Sequence, residues 1–118
     1  MRYLITVVHD GPEPLDVPAE LYEAMGAYVS KLTADGVLLD GAGLAPIEKA
    51  KRIHLRGGAI EVVDGPFAET KEWVGGYFLV KVDSEEEAIE VARGSIELHR
   101  DHFPGFDVSH EIRRIMEE

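Results

Sequence analysis

The chain has 118 residues, with 12 basic against 23 acidic side chains and a formal charge of −11. Such a field repels phosphate backbones and anionic lipid surfaces, which argues against nucleic acid or membrane as a partner. The absence of cysteine excludes disulfides, thiol nucleophiles and thiolate metal sites, and no apolar run approaches the roughly 20 residues of a bilayer span. A cytoplasmic location is the default expectation.

Residues 3–8 (YLITVV) are apolar and β-branched and predict a first strand. They are followed by a loop, HDGPEPLDVP. A helix is predicted from about Pro18, capped by Asp16, with Leu21, Met25, Val29 and Leu32 on one apolar face and an end at Asp35-Gly36. VLLDGAGLAP reads as a short strand that breaks up at its glycines. RIHLR and AIEVV flank Gly57-Gly58, a two-residue hairpin signal that pairs Arg56 with Ala59 and, further out, Leu55–Ile60, His54–Glu61 and Ile53–Val62. YFLVKV predicts another strand. Ser84 with Glu87 forms a capping box for a second helix running to about His99, with Ile89, Ala92 and Ile96 turned inward. VSHEIRRI is a final strand.

This order predicts one α+β domain: a ferredoxin-like antiparallel sheet with two helices on one face and an extra hairpin. Alternation places Ile53, Leu55, Ile60 and Val62 on one hairpin face, expected against the helices, with Asp64 at its end on the same side. A carboxylate there would be tied to its own loop or poised at a cleft. Tyr77 and Leu79, like Leu4 and Val8, make the far side of the sheet apolar as well. Both helices are committed to one face, so a second copy is expected to cover the other in a homodimer.

The segment VVDGPFAETKEWVGGYFLVKVDSEEEAIEVA resembles the signature region of the YCII-related (DGPF) proteins, with nine matching signature residues from Asp64 to Glu72. The resemblance implies a ferredoxin-like fold forming a dimeric α/β barrel and a cleft near Asp64. Some relatives are proposed to pair that aspartate with a histidine on the first helix. Here that helix has none, and Tyr22 and Tyr28 are the polar aromatics it offers instead.

Three functions follow as expectations. A small-molecule module would use Tyr28, Phe67, Glu69, Lys71 and Trp73 as its ligand-binding rim. A cofactor-independent lyase or isomerase would use Asp64 as general base. A structural or regulatory module would use the charged loop to lock the dimer. No cofactor is expected, and His99, His102 and His110 lack the spacing of a metal site.

Overall fold

The computed structural model describes residues 1–10, 16–65, 67 and 72–117. It contains strands β1 (Arg2–His9), β2 (Leu38–Gly43), β3 (Lys51–Arg56), β4 (Ala59–Asp64), β5 (Trp73–Lys81) and β6 (Ser109–Arg114), and helices α1 (Ala19–Ala34) and α2 (Glu85–His102). Four strands form one antiparallel sheet in the order β2-β5-β1-β6, consistent with a ferredoxin-like arrangement. β3 and β4 pair with each other in a separate two-stranded sheet.

Both helices pack on the sheet face that carries Tyr3, Ile5, Val80 and Val82. Leu32 of α1 and Ala88, Val91 and Ala92 of α2 complete this core. Ile5 and Val80 are wholly buried, and burial of side chains this size is worth about 1.5–3 kcal/mol each. No helix among the described residues is long and apolar enough to cross a membrane.

The helix termini follow local chemistry, with one correction at each helix. Pro18, not Asp16, is the N-cap of α1, and no side chain caps it. The Pro18 carbonyl accepts from the amides of Leu21 and Tyr22, and the fixed φ of proline sets the entry. In α2 the Ser84 side chain accepts from the Glu87 amide at 3.2 Å, as the capping box predicts, and the Glu87 carboxylate reaches back to the Asp83 amide. The buried stripe of α2 is Ala88, Val91, Ala92 and Ser95, however, with Ile89 left 38% exposed. Small residues win the inner face because the two helices approach closely there. The Tyr28 hydroxyl of α1 donates to the Val91 carbonyl at 2.8 Å, and a Cβ on Gly94 would lie 2.7 Å from Tyr28 Cζ.

The hairpin is found in the predicted register, from Arg56–Ala59 out to Lys51–Asp64. Gly57 and Gly58 both have positive φ (55° and 82°), as a type I′ turn requires. Its surroundings are not those expected. Ile53, Leu55, Ile60 and Val62 are 64–74% exposed and do not meet the helices. Alternation decides which side chains share a face, but the layer that covers the face is set by where the hairpin leaves the sheet.

β5 contains an irregularity that no local pattern announces. Val7 pairs with Gly76 but Val8 pairs with Val74, so Gly75 is an extra residue in the ladder. The bulge reverses the parity of what precedes it. Trp73 therefore lies opposite His9, with the two rings edge to face at 5.8 Å, while Val74 is exposed.

Candidate functional site

The sheet and helices enclose a hollow of about 510 Å³ at the end of the sheet where β1 terminates. β1 contributes Val7 and His9, α1 contributes Leu21, Tyr22, Met25 and Val29, and β5 contributes Phe78. Gly41, Gly43, Gly75 and Gly76 lend backbone to the lining, and β2 and β5 lie close there: a Cβ would sit 3.1 Å from the Tyr77 carbonyl at Gly41 and 2.9 Å from the Ala42 carbonyl at Gly76. The far wall is aromatic. Phe103 and Phe106 stack at 4.6 Å, and Phe106 contacts His99 at 6.3 Å and His9 at 5.5 Å between ring centroids.

Among the described residues no Lys or Arg lines the hollow. Its polar side chains are those of His9, His99, Tyr22 and Tyr77. His9 is 5% exposed, and its ring lies against Gly75, where a Cβ would come within 3.1 Å of His9 Nε2. His99, in the last turn of α2, places Nδ1 2.8 Å from the Ser95 carbonyl. A carbonyl only accepts, so Nδ1 carries the proton. Ser95 is wholly buried, and its hydroxyl lies 2.7 Å from Nε2 of His110 on β6. One residue thus holds two histidines, one through its backbone and one through its side chain. Burial pushes the pKa of His110 down, and the neighbouring His99 pushes it the same way. Though three histidines come near one another, no group of three His, Asp or Glu side chains among the described residues is placed to hold a metal ion.

The signature residues lie elsewhere. Asp64 ends β4 with its side chain 74% exposed and pairs with Lys51 at 2.8 Å, closing the open end of the hairpin. The next residue, Gly65, donates its amide to the Ala50 carbonyl, and a Cβ there would sit 3.1 Å from the carbonyls of both Ile47 and Ala50. Phe67 is 8% exposed, with the Arg52 guanidinium 3.8 Å from its ring centroid. Asp-Gly-x-Phe therefore fastens the hairpin to the turn that precedes it. Glu69 and Lys71 fall outside the described residues. Trp73 backs His9 and does not line the hollow, and its buried Nε1 finds no hydrogen-bond partner among the described residues.

Of the two tyrosines singled out on the first helix, Tyr22 lines the hollow and is 68% exposed at its rim. Tyr28 is turned to α2, where burial, with Glu97 and Glu90 nearby, raises its pKa. In the sequence His9, His99, Ser95 and His110 do not stand out as a set. Helical spacing of Ser95 and His99 (i, i+4) is the one local sign that those two meet. The contribution of β6 requires the tertiary fold.

A curated protein of Rhizobium meliloti (strain 1021), described as uncharacterized, is 38% identical over 69 residues, or 58% of this chain. The match spans a little over half, 56%, of that protein's length. The family model of the YCII-related domain matches residues 1–103. With most of its length covered by that model, the chain belongs to the YCII-related domain family.

Proposed function

We propose that this protein binds a small molecule with an apolar body in the hollow between α1, the sheet and the end of α2, with His99 meeting the polar end of the ligand. The observation that carries the reading is the hollow itself. Its volume of about 510 Å³ falls within the range of roughly 300–1,000 Å³ typical of small-molecule sites, and its apolar walls carry a few polar groups, as such sites do. A doubly charged phosphate would find no Lys or Arg among the described lining residues. In this reading the Asp64–Gly65–Phe67 segment serves structure by anchoring the hairpin, and Tyr28 serves the helix contact. If a bound compound is also turned over, the base in contact with it is His99 and no cofactor takes part.

The protein acts as a homodimer in the same reading. Support comes from the hairpin face, where Ile53, Leu55, Ile60 and Val62 expose a contiguous apolar surface, and from the apolar outer side of the sheet at Leu4, Val8 and Leu79. A two-stranded hairpin is marginal without a covering layer, and a second copy supplies one.

The test is a thermal-shift screen of small aromatic and branched aliphatic compounds against the protein and against Met25→Trp, which fills the hollow. The expected result is a set of stabilising compounds whose effect disappears in the variant. A screen without a stabilising compound, or with stabilisation indifferent to Met25→Trp, overturns the reading.

A further inference from the structure

The two nitrogens of His99 are not equivalent. Nδ1 donates to the Ser95 carbonyl at 2.8 Å, and this acceptor belongs to the helix backbone, so no side-chain exchange at position 95 removes it. In the neutral ring the proton on Nδ1 leaves Nε2 as a lone-pair acceptor. His99 lines the hollow, and Nε2 is the nitrogen left to meet whatever enters. Around it stand Phe103 and Phe106, which offer ring faces and no hydrogen-bonding groups. His110 packs edge to face on His99 at 5.7 Å and is itself held by the Ser95 hydroxyl. The ring is thus fixed in orientation from both sides.

Resting on the binding reading above, we infer that the site selects for a hydrogen-bond donor: His99 Nε2 accepts from a weakly acidic O–H on an apolar body, so the ligand class is phenol-like or enol-like, and the corresponding ethers are excluded. An apolar wall discriminates poorly between a ligand and its methylated analogue. An acceptor covered by the ligand discriminates well, because a bound ether leaves its lone pair desolvated and unmatched.

The probes are p-cresol and 4-methylanisole, which share a body and differ in the O–H. The affinity of each is measured by NMR titration against the wild type and against His99→Phe. The expected result is that p-cresol binds the wild type about tenfold more tightly, although the ether is the more hydrophobic of the two. In His99→Phe the preference disappears while the ether still binds. Equal affinities in the wild type, or a preference that survives His99→Phe, overturn the donor-selection inference and leave the hollow as a binding site. Binding of neither probe counts against both. A measurement that needs no variant is the long-range ¹⁵N–¹H correlation spectrum of the histidine rings. The inference requires the Nδ1-protonated form at His99, and the Nε2-protonated form overturns it.

Discussion

β1 and the β3–β4 hairpin carry the same kind of sequence, short runs with an apolar residue at every second position, and they end in opposite surroundings. Tyr3 and Ile5 are buried under both helices, whereas Leu55 and Ile60 are 74% and 73% exposed. The difference lies in connectivity. β1 sits between β5 and β6 and beneath two helices that the chain itself supplies, while the hairpin branches away from the sheet where its second strand ends. Hydrophobic alternation therefore marks a surface that must be covered without naming what covers it.

Substitutions on the two sides sharpen this contrast. Ile5→Ala, at a wholly buried site, is expected to cost about 2–5 kcal/mol in denaturant unfolding. The paired change Leu55→Asp with Ile60→Asp puts charge on the uncovered face. It is expected to convert a dimer to a monomer in sedimentation while leaving the folded protomer intact, and an unchanged mass would remove the hairpin from the interface. Gly94→Ala distinguishes packing from propensity. Alanine normally stabilises a helix relative to glycine by about 0.5–1 kcal/mol, but here its Cβ meets the Tyr28 ring, so destabilisation by about 1–3 kcal/mol is expected.

A smaller effect separates the regions by pH. His110 is held below its ordinary pKa of 6.5, first by burial. The unfolded chain then binds a proton more readily than the folded one. The stabilisation is fully present above pH 6.5 and declines as pH falls from there toward the folded value, then levels off. Comparing unfolding free energies at pH 7.5 and 5.5 for the wild type and His110→Phe isolates this contribution, which is expected to be absent from the variant. The smallest change is expected from Asp64→Asn. Its ion pair with Lys51 is largely solvent-exposed, and loss of less than about 0.5 kcal/mol is predicted. A large loss would mean that the pair is buried by a second copy.

Much of the architecture was legible from local chemistry. The Gly57-Gly58 turn fixes the hairpin register residue by residue, and Ser84 with Glu87 fixes the start of α2. Phe78, Val80 and Val82, at every second position of YFLVKV, pack at the core as strand alternation requires. Less of the candidate site could be read. The conspicuous Asp64–Glu72 segment marks the hairpin end, whereas the hollow is lined in part by glycine backbone, and glycines register as gaps in a pattern and not as a signal. His9 looked like the first residue of a loop because a strand's last residue carries no periodic mark of its own. Ser95 lay hidden among apolar neighbours on α2, where isoleucine outranks serine in hydrophobicity although the smaller side chain fits the closer approach. The partnership of His99 with His110 joins a helix to a strand that follows it, and spacing along the chain does not encode such a meeting.

The extra residue at Gly75 makes the two halves of β5 obey opposite rules of inside and outside. In an even ladder Gly75 would stand opposite Val8, Val74 would lie inward beside His9 and the indole of Trp73 would turn out to water. The histidine at the mouth of the hollow would lose the large ring that backs it, so the shape of the binding wall depends on a length, one residue, and not only on the identity of any side chain.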